Sequence, residues 1–271
     1  MKTIAHISDL HFGREDPLVA EGLRLDLHRL QPDIVVNTGD FTQRARRSQF
    51  RAAAAFMRRL PQPQISVPGN HDIPLFDVLR RFLSPLGRFR RYITPALFPR
   101  YVDDQLVVLG INTARSLTWK SGRISADQIA ELERVLSAFP ASMFKVVASH
   151  HPFIPPPGES MTGVDLVGRA ARALEVIERC GVDLLLAGHL HHGYTGDIRT
   201  FYPSTQRSII VAQAGTAISH RMHREPNGYN FIRLERDCIE VTVRRWLEGA
   251  FIEISRVVFR LEDGQWLPQA S

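Results

Sequence analysis

The chain has 271 residues, 44% of them hydrophobic, a formal net charge of +6 and a pI near 9.8. That length suits one α/β domain, and no apolar run reaches the ~20 residues of a membrane helix. Cys180 and Cys238 give neither a metal-binding spacing nor a disulfide framework. No signal-peptide segment follows Met1 and Lys2, so a cytoplasmic protein with free thiols is expected. Only three of the 34 basic residues are lysines, a skew that genomic base composition produces more readily than a binding surface does. No nucleic-acid-binding module is recognisable. The positive balance instead suits an anionic substrate.

Ile4, Ala5 and Ile7 read as a short buried strand, and Gly13 to Asp16 as a loop after it. Asp9 and His11 therefore lie just past the strand's carboxyl end. Leu23, Leu27 and Leu30 recur at helical spacing over residues 18–30, and Pro32 stops that helix. A second buried strand at 34–38 runs into Gly39-Asp40. Ser48 is placed to cap the next helix, with Phe50, Ala53, Ala54, Met57 and Leu60 on its apolar face. After Pro61 and Pro63 comes a third strand at 65–67, ending in Pro68-Gly69-Asn70-His71-Asp72. The opening thus reads β-α-β-α-β, with a polar cluster at each strand end, where open α/β sheets build their sites.

Phe76, Leu79, Phe82 and Leu83 predict a short helix, followed by an arginine-rich connection. Residues 101–112 predict a hairpin turning at Asp103-Asp104. Ser125 and Gln128 form a capping-box signature for a helix to about residue 139. A strand at 144–149 leads to His150-His151, a helix is expected at 166–180, and a strand at 183–187 ends in Gly188-His189-Leu190-His191-His192. Strands are expected at 208–214, 229–234, 239–246 and 251–261, the last three antiparallel. One domain over residues 1–271 is expected, with a mixed sheet.

The strand ends offer, in order, Asp-x-His, Gly-Asp, Gly-Asn-His-Asp, His and Gly-His-x-His. Carboxylates and imidazoles together suit borderline divalent metals. This order, spanning residues 9–191, resembles the calcineurin-like metallophosphoesterase superfamily. The resemblance implies a four-layer α/β/β/α sandwich with a mixed sheet and two metal ions per chain. It makes Asp40 the bridging carboxylate, with Asp9, His11 and His191 completing one metal site and Asn70, His150 and His189 the other. An anionic bridge separates two cations about 3.5–4 Å apart. The set suits Mn, Fe, Zn or Co without choosing among them. His71 is expected to face the substrate, protonating the departing oxygen as a hydroxide held between the metals attacks phosphorus.

Other polar residues read more simply. His6, His28, His192, His220 and His223 suit ordinary core or surface roles. His151 neighbours a ligand, but strand alternation turns it away. Asp33 suits a turn, and Asp72 suits the loop backbone ahead of the orientation of a site group. Arg80, Arg81, Arg88, Arg90 and Arg91 read as a solvated face or an anion-steering rim, as do His220 to Arg224. Gln43 stands where phosphoprotein phosphatases of the superfamily carry an aspartate. His71 stands where the UDP-diacylglucosamine pyrophosphatases usually carry an arginine. The chain looks most like bacterial class III cyclic-nucleotide phosphodiesterases, which implies phosphodiester hydrolysis, a cyclic nucleotide being one candidate substrate. A UDP-diacylglucosamine-type pyrophosphatase, a nuclease and a non-catalytic scaffold on the same fold are the alternatives.

Overall fold

The computed structural model describes residues 1–221 and 225–269. The elements run β1 (Lys2–Ile7), α1 (Pro17–Leu30), β2 (Ile34–Asn37), α2 (Arg47–Met57), β3 (Gln64–Ser66), α3 (Val78–Leu83), α4 (Gly87–Tyr92), β4 (Arg100–Val102) and β5 (Leu106–Ile111). Then come β6 (Gly122–Arg123), α5 (Ala126–Leu136), β7 (Phe144–Ser149), β8 (Val167–Gly168), α6 (Ala170–Arg179), β9 (Leu184–Ala187) and β10 (Tyr194–Asp197). The chain closes with β11 (Ile210–Gln213), β12 (Gly228–Glu235), β13 (Cys238–Leu247), β14 (Ala250–Glu262) and β15 (Gln265–Pro268).

Two sheets result, ordered β15-β14-β13-β12-β1-β2-β3 and β10-β11-β9-β7-β5-β4. In the first sheet β1, β2 and β3 run parallel at one edge, and in the second β5, β7, β9 and β11 run parallel in the middle. β12, β13 and β14 form the expected antiparallel run, which β15 extends. Period-two alternation sorts each strand between two cores. Ile4, Val36, Val108, Val146 and Leu186 fill the space between the sheets. Ala5, Ile7 and Val35 turn outward onto α1 and α2, with Leu23, Leu27, Phe50 and Ala53. On the other side Val107, Leu109 and Val147 meet α5 and α6 through Leu132, Leu136, Leu174 and Ile177. This is the expected four-layer α/β/β/α arrangement.

Some local expectations need correction. α2 starts one residue before Ser48; Gln49 Oε1 instead accepts from the amides of Arg44 and Arg46. α1 is capped by Asp16, whose carboxylate accepts from Leu18 and Val19. The helix expected at 166–180 begins only at Ala170, because residues 167 and 168 pair with β6 as a short parallel bridge. α5 ends at Leu136. The short helix expected around 76–83 forms over Val78–Leu83, but its apolar side chains point to solvent, and the buried one is Arg81.

Candidate metal centre

The structure brings Asp9, His11, Asp40, Asn70, His150, His189 and His191 to one end of both sheets. β1, β2 and β3 deliver the first four, and β7 and β9 the last three. The backbone bends sharply to do this. Asp9, His11, Asp40, His189 and His191 all take positive φ (54°, 47°, 54°, 79° and 57°), a conformation costing about 1–3 kcal/mol each outside glycine. Among the described residues they are five of the ten non-glycine positions with positive φ, so half of such backbone gathers in this one cluster. Two glycines let the ligand loops close. Gly39 has φ of +107°, and a Cβ there would lie 2.8 Å from His150 Nδ1. A Cβ on Gly188 would sit 1.9 Å from Ser8 Oγ and 2.7 Å from Asp9 Oδ2.

The donor atoms face one another. Asp40 lies between two groups of histidines, with Oδ2 3.7 Å from His11 Nε2 and Oδ1 3.5 Å from His150 Nε2. Asp9 Oδ1 is 3.4 Å from His11 Nε2 and 3.7 Å from His191 Nε2. His150 Nδ1–H donates to the Thr38 carbonyl at 2.7 Å, so its Nε2 carries a lone pair. That lone pair meets Asn70 Oδ1 at 3.1 Å and His189 Nδ1 at 3.2 Å. Asn70 is turned this way because its Nδ2 donates to the Trp119 carbonyl. His191 Nδ1 likewise pairs with Thr216 Oγ1 at 2.6 Å. Such outward hydrogen bonds fix the tautomer and the orientation of a ring.

This donor set fits a bound cation. Asp9 Oδ1, Asp40 Oδ2 and both nitrogens of His11 are buried without a hydrogen-bond partner. Buried polar atoms are rarely left so. Burial pushes His11, His150 and His189 below the ordinary imidazole range, into the neutral form that ligates. Asp40 is pushed well up, by burial and then by the Asp9 and Asp72 carboxylates. Burial also works to raise Asp9, but the His191, His11 and His150 imidazoles hold it well below the carboxylate range. Metal-compatible triads form among these groups, such as Asp9–His11–His191 and Asp9–Asp40–His150.

His71 and His151 also fall into such triads, yet their nitrogens are taken. His151 Nε2 donates to the Lys120 carbonyl at 2.6 Å, and its Nδ1 meets Thr113 Oγ1 at 2.8 Å. His71 Nδ1–H donates to the Gln43 carbonyl at 2.9 Å, and Arg221 Nη1 lies 2.6 Å from its Nε2. Burial, then the neighbouring His11 and Arg221, lower His71 to about 2. Gln43 thus orients His71 through its backbone carbonyl. A cavity of about 450 Å³ opens above the cluster, lined by Asp40, His71, Lys120, His191 and Arg221 among others.

Several polar residues read as structural make structural hydrogen bonds. Asp72 accepts from the amides of Phe41, Thr42 and Gly69. His6 Nε2 meets Thr38 Oγ1 in the core, and His192 pairs with Glu225. Asp33 does more than make a turn, accepting from both the amide and hydroxyl of Thr3. His223 and Arg224 lie outside the described residues. Arg221 is the functional candidate that strand-end motifs miss, since it enters from a loop thirty residues beyond the last of them.

A family model described as Calcineurin-like phosphoesterase matches residues 2–193. The chain belongs to that family. A Xenorhabdus bovienii protein named "Probable cyclic nucleotide phosphodiesterase" is 25% identical over 171 residues, 61% of this chain and 65% of that one. An Arcobacter nitrofigilis protein named "Probable glycerophosphodiester phosphodiesterase" is 24% identical over 203 residues, 69% of this chain and 71% of its own. The match to the first therefore spans less than two thirds of that relative. Among solved structures, purple acid phosphatase from yellow lupin seeds superposes with a TM-score of 0.66 at 12% identity, covering 96% of this chain and 53% of its own. At that identity the likeness shows the shared fold. Among the described residues no helix is long and apolar enough to cross a membrane.

Proposed function

We propose that this protein is a binuclear-metal phosphoesterase that hydrolyses phosphodiesters. The observation carrying this reading is Asp40, whose two oxygens face two separate histidine groups across a cluster of buried, unpartnered ligand atoms. Asp9, His11 and His191 would hold one ion with Asp40, and Asn70, His150 and His189 the other. When bound, such a pair acidifies water and offsets charge on a phosphoryl group. The protein's own residues do the rest. Arg221 and Lys120 line the cavity and are placed to bind phosphoryl oxygens. His71, held in one tautomer by the Gln43 carbonyl, presents Nε2 to the cavity. An arriving phosphoryl group draws Arg221 off Nε2 and supplies the negative charge that lets His71 hold a proton for the departing oxygen. A diester is favoured over a monoester by the phosphodiesterase names of the two relatives.

The test is hydrolysis of bis(p-nitrophenyl) phosphate and p-nitrophenyl phosphate after chelation and reloading with Mn, Zn, Fe or Co. Metal-dependent turnover favouring the diester is expected. Preference for the monoester would overturn the diester assignment, and metal-independent turnover the metal centre.

A further inference from the structure

We propose that the 76–83 segment, together with Leu117 and Trp119, docks the protein on an anionic lipid bilayer. α3 has its polarity inverted relative to a surface helix. Phe76, Leu79, Leu83 and Leu117 are 79, 73, 77 and 86% exposed, and Val78, Phe82 and Trp119 are exposed too. Exposed apolar groups on one contiguous surface mark an interaction site. Contiguity comes from Arg81, the side chain that α3 buries. It donates to the Ser116, Thr118 and Pro74 carbonyls at 2.8, 2.7 and 3.1 Å, and its guanidinium stands 5.7 Å from the centre of the Trp119 ring. The arginine thus clamps the 116–119 loop against α3, so the two apolar segments form one face.

Charge selects the occupant. Between Ile73 and Pro99 the chain has five arginines (Arg80, Arg81, Arg88, Arg90, Arg91) and one acid, Asp77. Asp77 is already engaged by Arg80 at 3.0 Å and Arg88 at 3.8 Å. Arg90 and Arg91 are exposed, as is Lys120 beside Trp119. A second copy of this chain would set one basic stretch against another, which opposes pairing. A bilayer with anionic headgroups offers an apolar interior for the leucines and Phe76, an interface for Trp119, and charge opposite to the arginines.

The same face leads to the metal centre. A cavity of about 210 Å³ beside it is lined by Ile73, Leu75 and Trp119 together with Asn70, His71 and Arg221. A phosphoester carried in a lipid would reach His71 by this route, a step that rests on the proposed function. The docking itself does not rest on it.

Co-sedimentation of the full chain with vesicles tests the docking, alongside Trp119 emission with Trp119→Phe as control. Binding and a blue shift are expected on phosphatidylcholine–phosphatidylglycerol vesicles, with much weaker binding to phosphatidylcholine alone. Leu79→Ser with Leu83→Ser, both at exposed positions, should weaken binding at least tenfold while near-UV circular dichroism stays unchanged. Arg90→Gln and Arg91→Gln should each weaken it about fivefold, an effect that salt reproduces. Three results would overturn the proposal: no binding to either vesicle, binding indifferent to the leucine pair, or self-association in sedimentation velocity that the leucine pair abolishes. None of these depends on turnover, so a failed phosphodiesterase assay leaves the docking measurement readable.

Discussion

His71 and Arg221 share one hydrogen bond, and separating their roles is a matter of kinetics. His71→Ala removes a group whose nitrogens go to Gln43 and Arg221, so the metal complement should survive. Its kcat should fall by about 10²–10⁴ on a substrate leaving as an alkoxide, and less on one leaving as p-nitrophenolate, which needs no proton. A mutant that loses metal on elemental analysis would make His71 a ligand. Arg221→Gln should behave differently. A charge-assisted hydrogen bond contributes about 1.5–3 kcal/mol, so kcat/KM should drop roughly 10- to 100-fold for diesters of either leaving group. A leaving-group dependence matching that of His71→Ala would mean Arg221 acts only through the imidazole.

At the scale of elements, Asp26 ties α1 to the first sheet. Its carboxylate accepts from Arg244 on β13 at 2.7 and 3.1 Å, from the Tyr229 hydroxyl on β12 at 2.5 Å and from Arg29 at 2.6 Å. Burial pushes this carboxyl up, yet Arg244, Tyr229 and Arg29 together hold it below the usual range. With the folded value depressed, its contribution is complete above the unfolded value near ~4 and is lost as pH falls through the folded one. Asp26→Ala leaves Arg244 buried without its carboxylate and should cost about 3–5 kcal/mol near neutral pH. Urea titrations should show that difference shrinking on acidification; a constant gap down to the acid limit would refute the assignment. The elements themselves were legible where apolar runs alternate with turn residues, as in β1 through β3. They were less so where a boundary depends on a distant strand: β6 claims residues 167 and 168 from the expected helix. Helical spacing at 76–83 revealed α3 but not its outward-facing side, because periodicity defines a stripe and not what it meets. The ligand-type residues could be picked out at strand ends by motif. Arg221 could not, since only the closure of the second sheet against the first brings its loop over the cavity.

The whole molecule is two sheets meeting at one buried charged cluster, with carboxylates supplied only by the first sheet and three imidazoles by the second. Without a cation that junction is under electrostatic load, because Asp40 is pressed toward its neutral form by burial and by Asp9 and Asp72. Function and stability therefore pull in opposite directions at Asp40, and Asp40→Asn separates them. The amide keeps an oxygen to accept from the His71 backbone N–H, a contact now 2.8 Å long. It also removes the charge and turns a donor toward His11 Nε2. In chelator, the variant should melt at or above the temperature of the parent protein. Added metal should then reverse the order. At a hundredfold excess over Kd, binding to the folded state alone contributes about 2.7 kcal/mol. For a chain of this size that is a rise on the order of 5–10 °C in the parent. Replacing the carboxylate proposed to bridge by an amide should abolish most of that rise, since Asp40 faces both histidine groups and each ion would lose a ligand. Calorimetry with and without Mn or Zn gives all four melting temperatures. An equal metal-induced rise in Asp40→Asn would remove Asp40 from the bridging position. A variant less stable than its parent in chelator would show instead that the carboxylate stabilises the empty fold, contrary to the electrostatic load inferred from its burial.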